Sequence, residues 1–122
     1  MFPYGTLESK ASLMSPRRYD AMWCVIMFDL PVQTKLQRKE ASKFRKMLVD
    51  AGYSMIQFSV YGKYSPTTNG NMSSERSIKQ NLPADGEVRM FHLTDSQWAS
   101  ATRFRAKKIE RNEEAPDQIT LF

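Results

Sequence analysis

The stretch AMWCVIMFDLP, residues 21–31, decides the fold. Its apolar run from Met22 to Phe28 is unbroken until Asp29, and Pro31 closes it. A run of that length stopped by proline predicts a central strand buried on both faces. Working outward, Thr34 to Ala51 places Phe44, Met47, Leu48 and Ala51 at i, i+3, i+4 and i+7, with Leu36 two turns earlier. That spacing predicts an amphipathic helix. Thr34 can cap it, and Gly52 stands where a helix-ending glycine belongs. From Tyr53 to Tyr64, Ile56, Phe58 and Val60 alternate with Gln57, Ser59 and Tyr61, which is strand periodicity. The segment is long for one strand, so a bend near Gln57 is expected to divide it.

Ser65 to Asn71 reads as a loop, with Pro66 and Asn69-Gly70 as turn signals. Met72 to Leu82 reads as a second helix stopped by Pro83, Asp85-Gly86 as a turn, and Glu87 to Leu93 as a strand. Thr94 to Lys108 is polar and basic, with Trp98 and Phe104 as apolar anchors, and Ile109 to Ala115 is charged and irregular. Strand, helix, two strands, helix, strand is the α+β, ferredoxin-like βαββαβ sandwich. Its antiparallel sheet carries both helices on one face and leaves the other bare. A homodimer packed through that sheet face is the simplest cover, with Ser59, Tyr61, Met55 and Met90 as candidates for it. The chain divides into a flexible leader (1–20), the ferredoxin-like domain (21–108) and a C-terminal tail with a short strand (109–122).

Composition narrows the function. One cysteine, Cys24, excludes an internal disulfide and a multi-cysteine zinc cluster, and it reads as a small core residue. One histidine, His92, excludes a two-histidine metal motif within one chain and reads as structural. No apolar run approaches a membrane span, and Met1 to Asp20 holds no signal-like apolar core, so a cytoplasmic location and no membrane contact are expected. Met14, ahead of Ser15-Pro16-Arg17-Arg18, offers an alternative start. Eighteen Lys and Arg against 13 Asp and Glu give +5, which favours polyanionic partners.

Several pieces stand in a distinctive order. Met27-Phe28-Asp29-Leu30-Pro31 ends the first strand, and Phe44-Arg45-Lys46-Met47-Leu48 lies in the basic helix. Gly52-Tyr53, Met55-Ile56-Gln57-Phe58-Ser59-Val60-Tyr61, Lys79-Gln80-Asn81-Leu82-Pro83, Gly86-Glu87-Val88-Arg89 and Leu93-Thr94 follow. Over about Arg18 to Trp98, and again at the apolar C-terminus, this order resembles the Cas-two family of small CRISPR-associated adaptation proteins, in the version found beside type II systems. The Asp-Leu-Pro after a strand and the Gln-x-Ser-Val carry the resemblance together. It implies a symmetric dimer that works with the Cas-one integrase to capture DNA fragments and insert them into a CRISPR array. It also implies a metal-dependent endoribonuclease or DNase activity, with Asp29 as the metal-binding and catalytic residue and Mg²⁺ as the cofactor. Ser59 matches a small polar position of the family.

On residue chemistry alone, an aspartate at a strand end is most often a turn or cap residue. One carboxylate makes a poor Mg²⁺ cage, but such sites use one or two carboxylates, retained waters and a substrate phosphate. A two-fold axis near Asp29 would bring a second carboxylate. The nucleic-acid candidates are Arg17, Arg18, Lys35, Arg38, Lys39, Lys43, Lys46, Arg76 and Lys79. Single lysines are usually solvated surface, but Lys35 to Lys46 holds six positive charges against Glu40 alone. Such a face suits double-stranded DNA read through its phosphates, with RNA as a second polyanion. Phe58, Tyr61 and Phe91 read as core and dimer packing rather than base-stacking residues. Ile119, Leu121 and Phe122 alternate with Gln118 and Thr120 after a charged spacer, which suggests either a partner-binding strand added to a sheet edge of the second subunit or of the integrase, or a tail folded back on its own domain.

Overall fold

The chain follows the order β1 (Met22–Asp29), α1 (Lys35–Asp50), β2 (Ser54–Gln57), β3 (Val60–Ser65), α2 (Thr68–Gln80), β4 (Glu87–Leu93), α3 (Asp95–Ala99), β5 (Arg103–Arg105) and β6 (Lys108–Glu110). The computed structural model describes residues 21–116. Four strands form one sheet in the order β2-β3-β1-β4, each neighbouring pair antiparallel. This is the ferredoxin-like arrangement, with the apolar strand inside.

Side chains of a strand alternate between faces, and directly opposed residues share one. Cys24, Ile26 and Phe28 pack with Phe44, Leu48, Tyr53 and Ile78, so the even positions of β1 face the helices. Phe28 meets Phe44 edge-on at 5.3 Å and stacks on Tyr61 at 5.6 Å between centroids. Ile26 is opposed by Tyr61 on one side and Met90 on the other. Both therefore lie under the helices, not on the bare face that alternation alone suggests. The odd positions Trp23, Val25, Met27 and Asp29 face away, with Tyr64, Val60, Arg89, Phe91 and Leu93 beside them.

Thr34 caps α1 through a reciprocal pair: its hydroxyl accepts the Gln37 N–H at 3.0 Å, and Gln37 Oε1 accepts the Thr34 N–H at 3.1 Å. Gly52 follows at φ +96°, a conformation that favours glycine. Leu36 is 67% exposed. It sits about a quarter turn off the Phe44–Leu48 stripe, so it is not a core residue. The expected division of residues 53–64 occurs at a two-residue tip, Phe58-Ser59, after a register shift between Met55 and Gln57. α2 begins earlier than its periodicity suggests. Thr67 Oγ1 accepts the Gly70 N–H and Asn71 Nδ2 donates to the Thr67 carbonyl, so Asn69-Gly70 becomes a capped first helical turn instead of a loop.

The chain supplies part of its own cover for the second sheet face. Trp23 stacks on Trp98 of α3 at 5.1 Å, and its Nε1 donates to Asp95 Oδ1 at 2.9 Å. Trp98 thus anchors the segment beyond β4. Phe104 does not, being 68% exposed on β5 opposite Ile109 of β6. Ala106 and Lys107, both at positive φ, turn that hairpin, so Lys108–Glu110 is strand rather than irregular chain. A domain edge at 108 falls within β6. Val25 is 2% exposed beneath this end of the face, whereas Met27 is 41% exposed at the other.

Cys24 is 1% exposed and accepts a hydrogen bond from the Tyr53 hydroxyl at 3.1 Å. Burial pushes the thiol up from its ordinary value, and burial also pushes Tyr53 up. Thiolate is the reactive form, so the folded protein is expected to resist a thiol reagent near neutral pH and to react fully once denatured. Rapid labelling of the native chain, read by absorbance, would contradict this packing.

Candidate nucleic-acid interface and acidic site

α1 presents its charge as a stripe. At 3.6 residues per turn, Lys35, Lys39, Lys43 and Lys46 fall within an arc of about 80°, along about 16 Å of the helix axis. The stripe lies opposite Ala41, Phe44 and Leu48, which bury against the sheet. The sequence dictates this: once the apolar residues select the inner face, the lysines have only the outer one. All four are exposed. Lys46 pairs with Asp50 at 2.9 Å, an exposed contact that contributes little and leaves the charge accessible. Arg38 stands on the flank, where its Nη1 donates to the Val32 and Gln33 carbonyls at 3.2 Å each. It therefore also braces the β1–α1 connection. Arg76 is exposed on α2, and Lys79 pairs with Glu75 at 3.5 Å. Arg17 and Arg18, like Ile119, Leu121 and Phe122, lie outside the described residues.

Asp29 ends β1, exposed, on the sheet face away from the helices. The preceding residue, Phe28, donates its N–H to the Ser59 carbonyl at 3.0 Å, which ties the β2–β3 tip to this strand end. On the other side, Asp29 pairs in register with Glu87 at the start of β4. Gly86 makes that approach feasible. Its φ is +93°, and a Cβ there would stand 2.6 Å from the Asp29 carbonyl oxygen. Sequence reasoning does not single out Glu87. The signal for it is the Asp85-Gly86 turn, which starts β4 level with the end of β1. Glu87 pairs with Arg89 at 3.6 Å, so two carboxylates and one guanidinium share this corner.

The family model described as CRISPR associated protein Cas2 matches residues 22–101, which is most of the chain. The chain belongs to the Cas2 family. The matched span holds the whole four-stranded sheet, Asp29 and the lysine stripe. A protein of Paracidovorax avenae, named CRISPR-associated endoribonuclease Cas2, is 43% identical over 104 residues, covering 85% of this chain and 96% of that protein. Identically named Cas2 proteins of Flavobacterium psychrophilum and Ligilactobacillus salivarius are 34% and 39% identical, over 86% and 83% of this chain and 91% and 100% of theirs. The resemblance read from the Asp-Leu-Pro and Gln-x-Ser-Val motifs is thereby confirmed at the level of family.

The donor chemistry at Asp29 can be tested against a hard cation. An exposed carboxylate with a second one opposite is the donor type that Mg²⁺ takes, with waters and a phosphate completing the shell. Among the described residues, no group of three or more His, Cys, Asp or Glu side chains could hold a metal ion. Asp29 and Glu87 are the residues of one chain that would contribute to such a shell. Among the same residues, no helix is long and apolar enough to cross a membrane.

Proposed function

We propose that this protein is the dimeric subunit of the CRISPR spacer-acquisition complex, bridging Cas-one integrase dimers and holding the duplex DNA to be integrated. The observation that carries the reading is the lysine stripe on the outer face of α1. Its charges lie within one arc of about 80° on a rigid element, with Glu40 off to the side and Asp50, paired with Lys46, at the end of the band. A linear array of this kind contacts phosphates without reading bases. A cytoplasmic location follows from the role, and RNA is a second polyanion the same face would accept.

A two-fold arrangement is part of the proposal. Among the described residues, α3 covers the sheet face at the Trp23 end while Met27 is 41% exposed at the other, and a second copy packed there would complete the cover. Sedimentation at micromolar concentration is expected to give twice the 14.1 kDa chain mass. A mass of one chain would remove the bridging role. Ile119, Leu121 and Phe122 are proposed to dock on the integrase as an added strand. Deleting residues 116–122 should leave thermal stability near that of the full chain and weaken integrase capture. Unchanged capture would refute the docking role.

A second reading is a free-standing Mg²⁺-dependent endonuclease centred on Asp29. The relatives' endoribonuclease name and the exposure of Asp29 beside Glu87 favour it. Bound Mg²⁺ would polarise a phosphoryl oxygen and lower the pKa of a water. Asp29 would hold the ion, and the carboxylate of Glu87, steadied by Arg89, would orient its waters.

A further inference from the structure

Beyond α3 the chain forms a two-stranded sheet, separate from the main one. Arg103 opposes Glu110, Phe104 opposes Ile109 and Arg105 opposes Lys108, so the hairpin carries an apolar pair on one face and its paired cations on the other. The base of the hairpin is fixed. Asn112 Nδ2 donates to the Trp98 and Ala99 carbonyls at 3.4 and 3.2 Å, which ties the outgoing strand to the end of α3. Arg103 Nη1 donates to the Arg111 carbonyl at 2.8 Å and pairs with Glu113 at 3.6 Å, and Arg111 pairs with Glu114 at 2.8 Å. α3 is itself held to β1 by the Trp23–Trp98 stack. The hairpin is therefore mounted from the sheet face away from α1.

Charge separates its two ends. Glu113 and Glu114 are engaged by arginines at the base, and residues 105–108 contain no carboxylate. Arg105, Lys107 and Lys108 are all exposed there. Arg105 meets Glu110 at 3.7 Å, an exposed contact that contributes little, and neither lysine makes an ion pair among the described residues. Ala106 and Lys107 turn the chain at φ +51° and +67°. Two successive left-handed residues make the tight hairpin turn that asparagine and glycine form at least cost. A lysine in that position is strained, and such strain concentrates at functional positions. The turn also keeps the apex narrow. Its two strands stand about 4.8 Å apart, and the major groove of duplex DNA, about 12 Å wide, admits a two-stranded ribbon.

We infer that the apex of the β5–β6 hairpin is a second phosphate-binding element for duplex DNA, with Arg105, Lys107 and Lys108 as its contacts. The inference rests on the nucleic-acid reading above and adds a site on another layer of the molecule. Three cations with little local neutralisation, on a fixed mount, complement a polyanion. A ribbon entering a groove brings them to the phosphates that rim it, and contacts of that kind carry no base information.

The experiment measures anisotropy of labelled duplexes of about 30 base pairs and unrelated sequence over a range of salt. The full chain is compared with Lys107→Gln/Lys108→Gln, Lys107→Glu/Lys108→Glu and Lys39→Glu/Lys43→Glu. The glutamine pair is expected to reduce the magnitude of the slope of log K against log salt by about 1.8, two contacts at about 0.9 each. The glutamate pair should weaken binding about 10-fold at moderate salt, alike for every sequence. Sedimentation mass and thermal melt should not move in the glutamine pair, which carries the test should reversal disturb folding. Slope and affinity equal to wild type in both hairpin pairs overturn the inference. A changed sedimentation mass also overturns it, because the hairpin then joins two copies of the chain. Loss of binding in Lys39→Glu/Lys43→Glu with none in the hairpin pairs removes the hairpin site and leaves the α1 reading standing. The reverse pattern supports the hairpin and removes α1.

Discussion

Asp29→Ala is expected to abolish any Mg²⁺-dependent nuclease activity of the protein and to leave duplex DNA binding unchanged. The residues proposed for the two properties sit on different elements. Asp29 ends β1 on the sheet face away from the helices, and the lysine stripe lies on the outer side of α1. Removing the carboxylate should cost little stability. The side chain is exposed, and like charges directly opposed on neighbouring strands, such as Asp29 and Glu87, are unfavourable. The unfolding free energy should therefore stay within about 0.5 kcal/mol of wild type. Asp29→Asn, which keeps the shape and removes the charge, should behave alike. The measurement is cleavage of labelled RNA and DNA with and without Mg²⁺, beside a thermal melt. Undiminished cleavage in both variants would place the metal elsewhere or reveal a contaminating nuclease. Lost activity with a collapsed melt would show instead that Asp29 is structural.

The architecture is legible because one strand announces itself. The consecutive apolar residues ahead of Asp29 suit only a central strand, and the capped helix after it fixes the first βα unit. Glu87 to Leu93 matches in full because a turn glycine marks its start and Thr94 caps the helix beyond it. Face assignment is harder. Tyr61 and Met90 alternate correctly, but alternation does not say which phase meets the helices; the register with Ile26 does. Leu36 and Phe104 show the same gap, since an apolar residue near an amphipathic stripe or in a hairpin buries only if something packs over it. α2 begins early because Asn69-Gly70 signals a turn in isolation, and a threonine two residues before converts it to a helix start. The lysine stripe is readable from spacing alone. Glu87 is not, because its relation to Asp29 exists only through the pairing of strands far apart in sequence.

The larger effect on nucleic acid is expected from Arg38, Lys39 and Lys43 changed to Glu. The change turns three cations into three anions on one helix face. Affinity for duplex DNA should fall by on the order of 100-fold at moderate salt. The fall should be the same for unrelated sequences, because phosphate contacts position the duplex and carry no base information. Arg38 has a second duty, since its guanidinium holds the Val32 and Gln33 carbonyls. Lys39→Glu/Lys43→Glu is therefore the cleaner pair, with the triple variant checked by its melt. A fall confined to one sequence would indicate direct base readout and would contradict a scaffold that accepts any fragment.

In the proposed function, α1 carries a sequence-independent phosphate-binding face. It is tested most directly by the slope of log K against log salt for a duplex of about 30 base pairs, in wild type and in Lys39→Glu/Lys43→Glu. Each phosphate that the protein no longer neutralises should reduce the magnitude of that slope by about 0.9, so the variant should show a shallower line and weaker binding at every salt concentration. Parallel lines of equal affinity would show that the duplex does not rest on α1, and the account would be wrong.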